Sequence, residues 1–231
     1  MLNFNPNNLV LQKAILEVRH NDMFSIPDAR YKIIDKFVND FQIRNLLKEG
    51  GLTLINPEKQ LAFNIHIKKF DISWDAPTTV EEFIKLIQHP LVNRLNSMLS
   101  IGTATRIGIR FIWTALGDSG KQIHDYITNT YYSPAVRKTI YSWLDDVRDP
   151  MVRFSGRSGI YGINVGIGYQ QEQEIQGNAN IVNVVSTRDL IFFDFDFYKD
   201  TNTQFKSLDA FFNQVRPAVN EFLQNIVSVK G

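Results

Sequence analysis

Charged and aromatic side chains alternate along Leu190–Tyr198, and this alternation constrains the fold more than any other segment of the chain. Successive residues of a β-strand point to opposite faces, so Asp194, Asp196 and Tyr198 share one face. The other face consists of phenylalanine: Phe193, Phe195 and Phe197. A strand of this kind buries its aromatic face and leaves its acids on the other side, which predicts a sheet packed against helices through one face.

A second strand carries the opposite charge in the same pattern. Along Thr105–Trp113, Arg106 and Arg110 share one face with a glycine between them, and large apolar residues occupy the other. If the two strands are neighbours with their apolar faces on the helices, the arginines and aspartates lie on the same face of the sheet. Opposite charges paired across strands contribute ~0.2–1 kcal/mol each. We therefore predict a charged ladder in which both arginines reach Asp194 and Asp196.

The paired aspartates have two alternative interpretations. Two acids on one strand face can hold a hard cation such as Mg²⁺, as phosphoryl-transfer enzymes require. Such a site normally needs a third acid, for which Glu17 is the only strand-borne candidate, and a phosphate-binding turn, which the sequence lacks at a suitable spacing. One alternative is thus a metal-dependent enzyme that acts on nucleotides or nucleic acid through Asp194 and Asp196. The other is a sensor that holds an anion or nucleotide on Arg106 and Arg110.

Strand and helix patterns alternate along the rest of the chain and indicate an α+β fold. Proline in a first-turn position at Ser25–Asp28 and the capping box Thr79–Glu82 each begin a helix. A closing amphipathic helix is predicted from about Ser207 to Val227. Its apolar stripe comprises Leu208, Phe211, Phe212, Val215, Val219, Phe222, Leu223 and Ile226. These patterns predict a single domain, 1–231, with a largely antiparallel sheet packed against amphipathic helices, a long C-terminal helix and a helical insertion at 117–148.

Three local features carry more specific expectations. The apolar positions between Leu61 and Trp74 change phase at Lys68–Lys69, which predicts a β-bulge, because one extra residue reverses the faces of a strand. Pro90 is expected to break or kink the second helix. The polar segment Gln170–Asn178 is expected to form an exposed hairpin loop.

Two elements offer surfaces for a second chain. Glycines alternate with apolar residues along Tyr161–Tyr169, which predicts a strand, since a nucleotide-binding glycine loop must connect a strand to a helix. The glycine face of that strand is nearly bare and permits close approach by another backbone or chain. The C-terminal stripe predicts packing against the sheet, with a dimer seam as the alternative. A homo-oligomer through either element is retained as an option.

Composition narrows the classes of function. The 25 basic and 24 acidic residues give a formal net charge of +1, which predicts no general attraction to nucleic acid or to anionic membranes. The chain has no cysteine, which excludes disulfides, thiolate catalysis and cysteine-ligated metal centres. No apolar run approaches the roughly 20 residues needed to span a bilayer. Because Met1–Asn8 also lacks a basic head and an apolar signal core, we expect a cytoplasmic protein.

Two motifs also carry a family resemblance. Arg106–Ile112 and Phe193–Phe197 resemble segments of a sporadically distributed prokaryotic family of uncharacterised proteins of similar length. The resemblance extends to a strand–helix opening at Ala14–Phe41 and to a closing amphipathic helix, in the same order over most of the chain. In that family the arginine strand commonly continues into an asparagine, where this sequence has Trp113. The resemblance implies an architecture and, from the sporadic distribution, a defence or mobile-element context.

These observations predict a non-enzymatic protein-binding or assembly component of a prokaryotic cytoplasmic system. No catalytic residue, metal ligand or cofactor is assigned. The expected partner is a protein, and neither nucleic acid nor a membrane is expected. The candidate binding residues lie on the charged strand pair: Arg106, Arg110, Asp194, Asp196 and Tyr198.

Overall fold

The computed structural model describes residues 8–23, 25–144, 149–178, 181–200, 202–204 and 208–227. Three predictions fall partly outside these residues. They concern the N-terminal segment 1–7, the end of the helical insertion at 145–148 and the start of the C-terminal helix at Ser207.

The described residues form ten strands and six α-helices. The strands are β1 Val10–His20, β2 Ile43–Leu46, β3 Leu52–Asn56, β4 Leu61–Ile65, β5 Lys69–Asp75, β6 Thr103–Leu116, β7 Met151–Ser158, β8 Tyr161–Asn178, β9 Ile181–Lys199 and β10 Thr203–Gln204. The helices are α1 Ile26–Lys36, α2 Val80–Leu86, α3 Asn93–Leu99, α4 Gly120–Tyr131, α5 Pro134–Trp143 and α6 Leu208–Phe222. Two π-helical turns, Ile87–Val92 and Leu223–Val227, follow α2 and α6.

All ten described strands belong to one sheet. Its order is β2-β3-β4-β5-β1-β6-β9-β8-β7, and β10 pairs with β6. Every pairing between described strands is antiparallel. The predicted α+β fold with a largely antiparallel sheet is therefore confirmed. The sheet also makes β6 and β9 neighbours, so the arginine strand lies beside the aspartate strand.

One face of the sheet carries the hydrophobic core. Phe193, Phe195 and Phe197 of β9 are buried there, at about 1.5–3 kcal/mol of stabilisation for each fully buried large side chain. Helix α6 buries its stripe in the same cluster: Leu208, Phe211, Phe212, Val215, Val219 and Phe222. These six side chains are thus occupied within one chain and do not form a dimer seam.

The predicted helical insertion divides into two different helices. Helix α4 contributes Ile123, Tyr126 and Ile127 to the core, whereas α5 has no buried residue. Only α4 is therefore integral to the core, and α5 lies outside it.

The other face of the sheet carries the polar side chains of the central strands, including Arg106, Arg110, Asp194 and Asp196. We call it the open face. Its charges form salt bridges on β1, β5, β6 and β9. The alternation along Leu190–Tyr198 thus separates the core from this charged surface, as predicted.

The second helix begins as predicted but does not stop at Pro90. The Thr79 hydroxyl accepts a hydrogen bond from the Glu82 backbone N–H at 3.0 Å, which caps α2. The chain then continues through the π-helical turn Ile87–Val92 into α3. Proline has no backbone N–H to donate to a regular helical hydrogen bond, and the wider π-turn continues the chain through this position. The expected break is therefore replaced by a π-turn.

The phase change at Lys68–Lys69 marks a chain reversal, and the predicted β-bulge is wrong. β4 and β5 are antiparallel partners, with Leu61 opposite Trp74. In this register, odd-numbered residues of β4 lie opposite even-numbered residues of β5. The reversal contains none of the usual turn residues. The His66 N–H closes it by donating to the Lys69 carbonyl at 2.8 Å, and from β1 the His20 N–H donates to the Lys68 carbonyl at 2.9 Å.

The polar segment Gln170–Asn178 is a strand, and the predicted hairpin loop is wrong. Residues 171–178 of β8 pair with 181–189 of β9. No third described strand flanks this part, because β7 ends opposite Gly168 and β6 ends opposite Leu190. We call this two-stranded ribbon the arm. At about 3.3 Å per residue it extends roughly 25 Å beyond the rest of the sheet.

None of the described helices combines the length and the apolar character that a membrane crossing requires.

Candidate functional site

The register of β6 and β9 brings the five predicted site residues together on the open face. Arg110 lies opposite Asp196, and Gly108 lies opposite Tyr198. Asp194 is two residues further along β9, and Arg106 is two residues beyond Gly108 on β6. All five side chains therefore lie on a patch two strands wide, which we call the charged ladder.

Arg110 and Asp194 form the best-defined ion pair of the ladder. Arg110 Nε and Nη2 donate to the two Asp194 carboxylate oxygens at 2.7 and 2.6 Å. This bidentate geometry matches the planar guanidinium to the carboxylate. The hydrogen bonds to Asp194 raise the pKa of Arg110 above its ordinary value, against the opposing effect of burial. The predicted contact is present, but it runs diagonally across the strands.

Arg106 makes a looser set of contacts at the end of the ladder. Its guanidinium lies 3.9 Å from the Asp196 carboxylate and 3.4 Å from that of Asp200. It also covers the Tyr198 ring, with its central carbon 4.3 Å from the ring centroid. Gly108 has no side chain between Arg106 and Tyr198, which leaves the guanidinium room for this cation–π contact. Each predicted arginine thus reaches one of the predicted aspartates.

Asp196 is a partly buried acid of the ladder. Burial raises its pKa, and a hydrogen bond from Asn164 Nδ2 at 2.9 Å, together with Arg106 and Arg110, partly opposes that rise. Asn164 stands on β8 directly opposite Asp196. Asn164 is not among the predicted site residues, although it is the one polar residue among the glycines of its strand face. That exception to the pattern is the signal that could have identified it.

Glu17, the candidate third acid for a metal site, is already bound. Its carboxylate accepts hydrogen bonds from Arg19 Nε at 2.8 Å and Lys69 Nζ at 3.1 Å. Burial alone would raise the pKa of Glu17, but the contacts with Lys69 and Arg19 outweigh it and lower the pKa. Among the described residues no group of three or more histidines and acids is arranged to hold a metal ion. The acids of the open face are balanced by cations instead.

The glycine face of β8 is not open to another chain. A methyl group added at Gly162 would lie 2.1 Å from the Tyr198 ring, and one added at Gly168 would lie 2.7 Å from the Phe192 ring. Two aromatic rings of β9 therefore fill the space that these glycines leave. The strand assignment is correct, but the expectation of a bare face is wrong, because the sequence does not show which neighbour covers the glycines.

A shallow cavity of about 300 Å³ separates the charged ladder from β7. Arg110, Asp194, Asn164 and Arg153 line it. Arg153 forms no ion pair with any described residue, in contrast to the arginines of β6. Arg153, on the last strand of the sheet, is therefore a cation beside the charged ladder that no described acid pairs with.

β7 is an exposed edge. Seven of its eight residues are exposed, and only Val152 is partly buried. β7 pairs with β8 alone, so its outer backbone groups have no strand partner among the described residues. Arg153 and Arg157 stand opposite Gly166 and Gly162, and thus point to the open face. Unpaired edges of this kind are templates for pairing with another strand.

The base of the arm is fastened to α4 by Asp189. Its carboxylate accepts hydrogen bonds from the Tyr169 hydroxyl at 2.6 Å and from the Gly120 backbone N–H at 2.7 Å. The hydrogen bond to Asp189 raises the pKa of Tyr169 to about 12. The same bond lowers the pKa of Asp189. This contact orients the arm relative to the body of the molecule.

No family model and no curated protein matches this chain. The resemblance to the sporadically distributed prokaryotic family therefore rests on the two strand motifs and the order of the elements.

Proposed function

We propose that this protein is a non-enzymatic assembly component that acts by binding another polypeptide through the arm and the adjacent edge of the sheet. The expected setting is the cytoplasm of a prokaryote, in a defence or mobile-element system, as the sequence and the family resemblance suggest. The expected partner is still a protein, but the principal binding surface is the arm and no longer the charged ladder.

The main support for this proposal is the structure of the arm. A ribbon of two strands is marginally stable in water, because neither strand has enough neighbours to offset the entropy of ordering it. The arm also exposes Val184 and Val185, which are 53% and 54% accessible. They lie where the register between β8 and β9 shifts: Val184 is opposite Ile175, and Val185 is skipped in the pairing. A long ribbon with free edges and exposed apolar residues is suited to pairing with a partner strand.

The charged ladder supports a structural role for the acids that suggested an enzyme. Asp194 is held by Arg110 through both oxygens, and Asp196 is held by Asn164 and Arg106. A cation at this pair would have to displace the guanidinium of Arg110. We therefore expect titration with Mg²⁺ or Mn²⁺ in a calorimeter to give no saturable heat. Saturable heat that disappears in Asp194→Asn would instead favour the metal-dependent enzyme.

Site-specific crosslinking in cells tests the proposal. A photoreactive amino acid in place of the exposed Val184 should form a covalent adduct with a polypeptide after irradiation. The same amino acid at Lys59, which is exposed in the turn between β3 and β4, is the matched control and should form none. Equal labelling at both positions, or none at Val184, would contradict a binding role for the arm.

A further inference from the structure

We infer that the polypeptide bound by the arm is the β7 edge of a second copy of this chain, in a reciprocal dimer. The inference rests on the proposed function and adds the identity of the partner. In such a dimer each copy contributes its arm to the other copy and receives the other arm on its own β7. Both contacts are then identical, as a two-fold axis requires.

The two free edges are similar in length. β7 offers eight residues, Met151–Ser158, and one side of it pairs with no described strand. The arm offers residues 171–178 of β8, whose outer side faces no strand of the described part of the chain because β7 ends opposite Gly168. A partner β7 placed against the arm would continue the sheet at the point where this chain's own β7 stops. One contact would thus satisfy backbone groups on both edges.

The charges on these edges are complementary. Arg153 and Arg157 are the only charged residues of β7, and both point to the open face. Along the arm, Glu172 and Glu174 are on the open face of β8, with Arg188 opposite Glu172 on β9. The arm therefore presents one net negative charge on that face, and β7 presents two positive charges. Opposite charges on neighbouring strands favour this pairing.

The same charges disfavour the simplest alternative dimer. If two β7 strands paired antiparallel about Ser155, Arg153 of each copy would lie opposite Arg157 of the other. Like charges directly opposite each other destabilise a strand pair. The charges of β7 therefore favour pairing with an acidic strand over pairing with a second β7, and the arm of this chain is such a strand.

A pair of complementary charge reversals tests the inference. The first variant carries Arg153→Glu and Arg157→Glu, and the second carries Glu172→Arg and Glu174→Arg. In light scattering after size exclusion, the wild-type protein should be a dimer at micromolar concentration. Each variant alone should dissociate at least about tenfold more readily, because both contacts become like-charged. An equimolar mixture of the two variants should dimerise again, since each contact in the mixed dimer is complementary.

The control is Lys48→Glu with Lys59→Glu, which makes the same change in net charge as the first variant at exposed positions in the turns flanking β3. It should leave the dimer unchanged. A monomeric wild-type protein, or a mixture that fails to dimerise although both variants are folded by circular dichroism, would overturn the inference. Crosslinking from Val184 to a different protein would also overturn it while leaving the proposed function intact. If no crosslink specific to the arm forms, both the dimer inference and the proposed function are contradicted.

Discussion

Arg110 stands directly opposite Asp196, yet its guanidinium binds Asp194. The side chain of Asp196 is engaged from the other side by Asn164 and by Arg106, so the diagonal acid is the one left for bidentate contact. Diagonal neighbours on antiparallel strands are within reach of long side chains. At this scale, the sequence predicted which residues would meet but not the pairing, which depends on Asn164 of a third strand.

A double-mutant cycle measures that pairing. Asp194→Asn and Arg110→Met should each lower the free energy of unfolding by about 0.5–1 kcal/mol, a modest value because Arg110 is half exposed. The double variant should lose less than the sum of the two. Urea denaturation provides the measurement. Coupling of Arg110 to Asp196 that exceeded its coupling to Asp194 would contradict the observed geometry.

The pH dependence of stability should have opposite signs at two acids of the open face. Burial raises the pKa of Asp196 above its ordinary value of 3.8, so the folded protein holds this proton more readily than the unfolded chain. Its contribution to stability is then largest at low pH and declines as the pH rises through the raised pKa. Asp196→Asn should therefore gain stability relative to wild type as the pH rises from 3.8 towards neutrality.

Glu17→Gln is the matched comparison. Since the contacts with Lys69 and Arg19 lower the pKa of Glu17 despite its burial, its stabilising contribution is present above 4.5 and lost as the pH falls. This variant should lose stability relative to wild type over the same rise in pH. Both series can be followed by urea denaturation at constant ionic strength. The same sign for the two variants would contradict the assignment.

At the scale of the element, the glycines of β8 leave space for side chains of the neighbouring strand β9. Tyr198 and Phe192 of β9 lie over Gly162 and Gly168, which gives the two strands a close aromatic contact on the open face. Glycine inside a strand ordinarily weakens it, because it lacks a side chain to pack. Here the rings of the adjacent strand supply that packing.

Two glycine substitutions separate this role from a general effect of adding a methyl group. Gly162→Ala should destabilise the protein by about 1–3 kcal/mol, because the new methyl group collides with the Tyr198 ring. Gly156→Ala on β7 meets nothing within 4 Å and should be close to neutral. Midpoints of urea unfolding compare the two. Equal effects would show that the ring does not occupy the space over Gly162.

The elements that the sequence did not predict lack a local sequence signal. The arm has polar residues on both faces, so it lacks the alternation by which strands are recognised. The reversal at Lys68–Lys69 has no glycine or asparagine, and the residue of β1 that donates to it, His20, is distant in sequence. By contrast, the aspartate strand, the arginine strand and the apolar stripe of α6 each have one buried face. The sequence was therefore predictive where an element buries one face, and it was not where neither alternation nor turn residues mark the element.

At the scale of the whole molecule, the arm is structurally separable from the body. Its described side chains contribute nothing to the hydrophobic core, which is formed by other strands of the sheet and by helices such as α4 and α6. At its base, Asp189 accepts a hydrogen bond from the first residue of α4. The body should therefore fold without the rest of the arm.

Deletion of residues 172–188 tests this separation. Gln171 and Asp189 are opposite each other and can be joined by Asn-Gly, which forms the two-residue turn preferred in hairpins. We expect the shortened protein to unfold cooperatively, with a change in free energy of unfolding below about 1 kcal/mol, because none of the described side chains that are removed belongs to the hydrophobic core. Thermal and urea unfolding give the comparison. Loss of the cooperative transition would show that the arm is part of the folding unit.

The fastening of Asp189 to Tyr169 and Gly120 has a consequence for the thermodynamics of association. A freely pivoting ribbon would lose orientational entropy on docking, whereas a ribbon already aimed by its base loses less. Asp189 lies outside the strand pairs that would join two copies in the proposed dimer. In that dimer, we expect its carboxylate to increase the binding strength of the arm without contacting the second copy.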